Sequence, residues 1–307
     1  MTNSTIDPLA IIDLANLKTS GKLKELAQHS ALGSKPEWMR ELSRNKDWHV
    51  RKALAKNPVA AEQPKAVALL MNDRSYHVRE ALAKNPALID HPETLKELSS
   101  DKHPVVRSSL AQNPSIIGST ETIERLSVDE DPWVRVNLAG NSAPAYCPEV
   151  LKRLASDTSS RVRLNLAENA SFATAPDVIE QLASDTDPSV RHRLARNPSI
   201  GNHSTIIEQL STSRDPYVRQ NLARNPSIAG LPELAAKLAT DEDSDVRYNL
   251  AINPAISNHS EIVERLAADK DPFVRRFAAG NTDPQGSRNT NGQPWPTQQL
   301  GRKPLVP

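Results

Sequence analysis

The phrase "DPYVRQNLARNPSI", residues 215–228, decides how this chain is read, because versions of it recur along the chain at a fixed period. A near-copy, "DPSVRHRLARNPSI", occupies 187–200, and "DPWVRVNLAGN" begins at 131. Val-Arg pairs stand at 50–51, 78–79, 106–107, 134–135, 162–163, 190–191, 218–219, 246–247 and 274–275, each 28 residues from the next without insertion or deletion. Self-similarity at such a period is the mark of a solenoid, in which each unit buries its apolar face only against its neighbours. With each Val as position 0, Ala recurs at +5 and Asn at +7 in all nine copies, and Leu at +4 in eight, Ala278 replacing it in the last.

Each unit predicts two short helices and no strand. The second begins at "D-P-x-V-R": Asp or Ser at −3 is a helix N-cap, and Pro at −2, as in Pro104, Pro132, Pro188, Pro216 and Pro272, is tolerated at a first helical position. It stops at Asn-Pro, because proline drives its predecessor out of the α region. At Asn141-Ser142, Asn169-Ala170 and Asn281-Thr282 the proline is absent but the asparagine stays. The amide therefore has its own task, bonding loop backbone groups. The first helix opens near Pro64, Pro92, Pro148, Pro176 or Pro232 and buries pairs such as Leu95/Leu98, Ile123/Leu126, Ile179/Leu182 and Ile207/Leu210.

Composition agrees with an elongated array. Among 307 residues, hydrophobic content is 37% and aromatics are 4%, less than a compact globule of this length would bury. The balance of 38 Lys+Arg against 37 Asp+Glu demands neither nucleic acid nor an acidic membrane. One cysteine, Cys147, excludes an internal disulfide and fits the cytoplasm. The start "MTNSTIDPLAIIDLANLKTSG" reads as no secretion signal, and no apolar run is long enough to span a membrane. Residues 1–46 read as a capping segment with a degenerate unit, Leu26 and Ala27 taking the +4 and +5 places and Met39 and Leu42 the first-helix places. Residues 47–282 hold the nine repeats. Residues 283–307, rich in Pro, Gly and Gln and carrying Trp295, read as a disordered tail.

The phrase "D-x-D-P-x-V-R-x-x-L-A-x-N-P…P-E-x-L-x-x-L-A-x-D", over roughly residues 20–282, resembles the variant leucine-rich repeat and, more loosely, HEAT-type repeats with their Asp/Arg signature. The resemblance implies an all-α, right-handed superhelix of paired short helices, the first of each pair partly 3₁₀. The unit is longer than the usual variant repeat, which leans toward HEAT-like geometry. The iron–sulfur cluster that accompanies such repeats in one case is excluded by the lone Cys147.

At ~100° per residue on a helical wheel, Val, Leu (+4) and Ala (+5) bound a buried arc, and Arg at +1 falls inside it. A buried guanidinium requires a partner, and Asp at −3 or at −5 supplies a forked one, within or between units. Arg51, Arg79, Arg107, Arg135, Arg163, Arg191, Arg219, Arg247 and Arg275 thus read as a structural ladder rather than a row of phosphate-binding arginines. Asn57, Asn85, Asn113, Asn141, Asn169, Asn197, Asn225, Asn253 and Asn281 form a second one.

Positions −1, +2, +3 and +6 face away on that wheel, and by analogy with HEAT-like arrays they line a concave groove. There the copies diverge. Lys52, Lys56, Lys84, Arg161, Arg193, Arg196, Arg224 and Arg276 stand against Glu80, Glu168 and Asp245. Eight minus three is an excess of +5, densest in "RHRLAR", 191–196, with His192. Trp133, Tyr217 and Phe273 fall at −1, Tyr248 at +2 and Phe277 at +3. Arginines and aromatics on one strip are the side chains of protein-interface hot spots, against the plainer reading of scattered solvated charge with rings packed on neighbouring repeats.

Chemistry is poorly supported. His91, His203 and His259 share the +13 place but are repeats apart, so helix-end capping outweighs metal binding. Cys147 occupies the same place, where a helix N-terminus could lower its pKa, yet no base partner is visible. No phosphate loop, paired-cysteine motif or nucleophile elbow is present. The expectation is a monomeric, non-catalytic, cofactor-free scaffold that binds a protein or peptide. Two rivals differ in class: a nucleic-acid binder resembling the HEAT-like alkylpurine DNA glycosylases, and an accessory protein resembling the HEAT-like phycobilin lyases.

Overall fold

The computed structural model describes residues 19–172 and 175–281, and side chains as far as Ala278. The tail with Trp295, the first 18 residues and the side chain of Asn281 lie outside the described residues. The fold is an all-α solenoid of repeated helical pairs, with no strand among the described residues. The chain divides into two compact units, Met1–Val190 and Arg191–Pro307.

In the first unit the leading helices are Pro36–Leu42, Pro64–Met71, Pro92–Leu98, Thr120–Ser127, Pro148–Ala155 and Pro176–Ala183. Each is followed by a second helix: Trp48–Lys56, Tyr76–Ala83, Pro104–Gln112, Pro132–Ala139, Ser160–Glu168 and Pro188–Arg196, the last carrying the unit boundary. Ser20–Ala27 is a further second helix at the start, its Leu26 and Ala27 buried in the +4 and +5 places. In the second unit the pairs are Ser204–Ser211 with Pro216–Ala223, Pro232–Leu238 with Ser244–Ala251, and Ser260–Ala267 with Pro272–Asn281.

A third element corrects the two-helix expectation. The leading helices are α-helices. The 3₁₀ turn instead follows the second helix, as at Pro86–Asp90, Pro114–Ile116, Pro198–Asn202, Pro226–Gly230 and Pro254–Ile256, although Pro58–Ala61 closes an α turn. The Asn at +7 is the cause: its Oδ1 accepts the N–H two residues on, from Ala87, Ser115, Ser227 or Ala255 at 2.9–3.0 Å. Second helices pack on second helices, leading helices on leading helices, and 3₁₀ turns on 3₁₀ turns within each unit. Each unit is thus built of three parallel columns around one thin core. Val at 0, Leu at +4 and Ala at +5 are fully buried or nearly so, including Val106, Leu110 and Ala111, and the predicted leading-helix pairs are buried. A larger side chain than Ala at +5 would overpack the seam and push repeats apart.

Candidate interaction surface

Two ladders hold the columns together and define what remains free. Arg51 Nε and Nη2 donate to Asp73 at 2.5 and 2.9 Å, while Nη1 donates to the Asn45 carbonyl at 2.6 Å. The same fork joins Arg79 to Asp101, Arg107 to Asp129, Arg135 to Asp157 and Arg163 to Asp185 in the first unit. In the second unit it joins Arg219 to Asp241 and Arg247 to Asp269. The partner is always the Asp at −5 of the following repeat, 22 residues on. Nη1 meanwhile holds the carbonyl at −5 of the arginine's own repeat, so one guanidinium ties two consecutive loops. The hydrogen bonds to Asp101 raise the Arg79 pKa against the opposing effect of burial. Burial would raise Asp101, but Arg79 and the backbone N–H of His103 outweigh it and hold the carboxyl below its ordinary value.

The −3 Asp is not the fork partner. It caps its own second helix: Asp131, Asp215 and Asp243 accept from the N–H groups of Trp133, Tyr217 and Asp245 at 2.7–2.9 Å. Ser75 and Ser159 occupy that place without a side-chain cap bond. Accepting a backbone N–H does not itself exclude a guanidinium, since Asp101 takes both the His103 N–H and the Arg79 fork; it is the stacking of the next repeat that brings its −5 carboxylate to the arginine. One rung departs from the rule. The residue 22 beyond Arg191 is Ser213, and Arg191 lies 3.6 Å from the cap Asp215, which His192 Nε2 also meets at 2.8 Å. Arg275, with Thr297 at that distance in sequence, is exposed and bonds through Nη1 to the carbonyls of Asp269 and Lys270.

The asparagines run along the opposite seam. Asn113 Nδ2 donates to the Ala83 and Asn85 carbonyls of the preceding repeat, at 2.7 and 3.0 Å, while Oδ1 takes the Ser115 N–H. Asn57, Asn85, Asn141 and Asn169 repeat this in the first unit, and Asn225 and Asn253 in the second. Asn197 Oδ1 caps its 3₁₀ turn through Ser199. Every polar atom of the amide is used, and among the described residues no buried side-chain N or O lacks a partner.

The outward strip is narrower than the wheel suggested. Positions −1 and +6 are the more open ones: Trp133 is 55% exposed, Tyr217 47% and Phe273 36%, and Lys56, Lys84, Arg196 and Arg161 are exposed, while His77, Asp245, Arg224 and Ile252 are half-buried. Position +3 is not open in several repeats, since Ala53, Ala81, Ser109 and Asn249 are buried. Position +2 is half-buried in Lys52, His192, Tyr248 and Arg276, and buried in Val136 and Gln220. The reason is the column of second helices. Each flank of a second helix meets a neighbour, so +3 turns to the preceding repeat and +2 to the following one. Asn137 at +3 donates to Ser108 at +2; Arg224 at +6, half-buried, donates through Nε to Asn249 Oδ1 at 2.8 Å. Arg193 is half-buried as well.

Rings cluster on this strip. Arg161 lies over Trp133 at 5.2 Å, Arg276 over Phe277 at 5.9 Å, and Tyr248 meets Phe277 edge-on at 5.2 Å. The sequence reading missed one group. Trp48 and Tyr76 replace the usual Pro at −2, and with His49, His77 and His103 they form a continuous stack, Tyr76 on His103 at 3.8 Å and Trp48 on His77 at 4.9 Å. Their departure from the D-P start of the phrase was the visible signal. Lys52 sits over Trp48 at 5.7 Å, and Lys84 pairs with Glu80 at 2.6 Å.

The +13 residues do not cap. His91, His203, His259 and Cys147 stand at leading-helix starts with no side-chain cap bond, and His259 Nε2 instead meets the Ala229 carbonyl of the preceding repeat. Burial pushes the Cys147 thiol up rather than down, the opposite of an activated thiolate. Among the described residues no three His, Cys, Asp or Glu side chains are placed to hold a metal, and no helix is long and apolar enough to cross a membrane.

No family model and no curated protein matches the chain. Among solved structures it is similar to a leucine-rich repeat variant with a novel repetitive structural motif, at 23% identity and a TM-score of 0.49, covering 78% of this chain and 88% of that one. It is also similar to a homology model of the full-length AP-3 complex in an intermediate open conformation, at 13% identity and a TM-score of 0.37, covering 85% and 52%. A third similarity is to YibA of E. coli, at 14% identity and a TM-score of 0.35, covering 87% and 97%.

Proposed function

We propose that the chain is a non-catalytic scaffold that binds protein partners on the strip formed, within each of its two units, by positions −1 and +6 of the second helices. One observation carries the reading: Trp133, Tyr217 and Phe273 occupy the same repeat position and all stay exposed in a chain whose aromatics are 4% of its residues. Large exposed rings with arginines beside them are the anchors protein interfaces use. The test is affinity capture from a native lysate, with nucleic acid digested and undigested, using the full chain and its Trp133→Ala and Tyr217→Ala variants. Nuclease-resistant partners lost with either ring support the reading. Partners captured equally by both variants remove it.

The excess of Lys and Arg on the strip favours nucleic acid as a second reading. A phosphate-driven complex weakens steeply as salt rises, so duplex DNA titrated at increasing salt separates the two.

A further inference from the structure

We infer that the second unit's strip is a receptor for an extended acidic segment of a partner protein, with two carboxylates spaced three residues apart and an apolar side chain three residues beyond. This rests on the reading of the chain as a protein-binding scaffold and names the chemistry of the partner. On positions −1, +2, +3 and +6 of this unit stand Arg193, Arg196, Arg224 and Arg276 against the single carboxylate Asp245. Four minus one leaves +3, while the whole chain carries +1.

The order along the edge matters more than the sum. The +6 place holds Arg196, then Arg224, then Ile252 in successive repeats. The Arg196 side chain is exposed and has no hydrogen bond, ion pair or ring contact among the described residues. Arg224 is steadied through Nε by Asn249, and its two terminal nitrogens carry no bond among the described residues. Beside Ile252, which is half-buried, the Tyr248–Phe277 pair presents an edge-on aromatic corner, with Phe277 40% exposed. The strip therefore runs from the exposed Arg196 through the half-buried Arg224 to an apolar corner at one step per repeat.

Packed helices lie ~8–10 Å apart. A polyproline-II segment turns once every three residues with a rise of ~3.1 Å each, so side chains on one face recur every ~9 Å. An acidic-x-x-acidic-x-x-aromatic segment in that conformation matches the three steps. Guanidinium groups take carboxylates as planar forks, and this chain shows that geometry in the seven Arg–Asp rungs.

The probe is a fluorescein-labelled peptide, Glu-Pro-Pro-Glu-Pro-Pro-Phe, titrated by anisotropy with the full chain. Expected results are saturable, salt-weakened binding, at least a ten-fold loss with Arg196→Ala, partial retention with Arg196→Lys, and tighter binding with Asp245→Asn. Circular dichroism melts confirm that each variant keeps its fold. Equal binding of a peptide with both Glu changed to Lys, or no effect of Arg196→Ala, overturns the inference. So does preference for single-stranded oligothymidylate over the peptide. If lysate partners still depend on Trp133 and Tyr217 while the acidic peptide fails to bind, the scaffold reading stands and only the partner chemistry falls.

Discussion

At the scale of single residues, the arginine at +1 shows how a charge becomes a structural bolt. In Arg79 the fork is filled by an Asp of the next repeat and Nη1 by a loop carbonyl, so each guanidinium nitrogen has a partner. The value of such a pair lies in its completeness, because removing one partner strands the other charge. Asp101→Asn is expected to destabilise the protein by about 3–5 kcal/mol through the Arg79 left behind, read as a lower denaturant midpoint. Asn113→Ala removes two donors and an acceptor at a buried seam and is expected to cost about 1–3 kcal/mol. An unchanged midpoint would show that water replaces the amide. The reverse experiment is available at the irregular rung: Ser213→Asp places a carboxylate 22 residues beyond Arg191, as in the regular rungs, and is expected to stabilise by about 1 kcal/mol, measured as a rise in melting temperature.

At the scale of elements, the 3₁₀ column sets tolerances that helical periodicity does not express. A Cβ on Gly201, at the end of one turn, would lie 2.7 Å from Ser227 Cβ in the next. Ser227 is itself held by bonds to Pro198 O and Asn225, so it cannot retreat. Gly201→Ala is expected to cost about 1–3 kcal/mol by overpacking. Gly118, with φ +81° and open space around it, tests the backbone alone, and Gly118→Ala is expected to cost about 1–2 kcal/mol of left-handed strain. Comparing the two melts separates contact from conformation.

At the scale of the whole molecule, the ladders make stability a sum over seams, and pH reaches it through the carboxylates. Asp101 and Asp269 lie below the ordinary carboxylate value because hydrogen bonds outweigh burial. A depressed folded-state pKa contributes stability that is complete above the unfolded value of about 3.9 and is lost as pH falls through the folded value. Melting temperature is therefore expected to decline below about pH 4 through these groups. Asp101→Asn, having already lost its share, is expected to show a shallower acid decline, and a parallel one would refute the assignment.

The period, the helical pairs, the caps and the burial of Arg51 or Asn113 were legible in the chain, because a repeated residue meets the same neighbours in every copy and its pattern reports them. The choice between Asp at −3 and Asp at −5 was not, since Asp47 is near Arg51 in sequence while Asp73 lies 22 residues on, and only the stacking of one repeat on the next brings Asp73 to the fork. The same stacking buried position +3, moved the 3₁₀ turn into a column of its own and joined Trp48, Tyr76 and His103 into one row of rings. Local sequence thus determined what each unit is, because caps, prolines and apolar spacing act within a few residues. Tertiary structure decided which faces stay open, because exposure depends on the neighbouring copy's backbone, and a wheel drawn on one helix does not contain it.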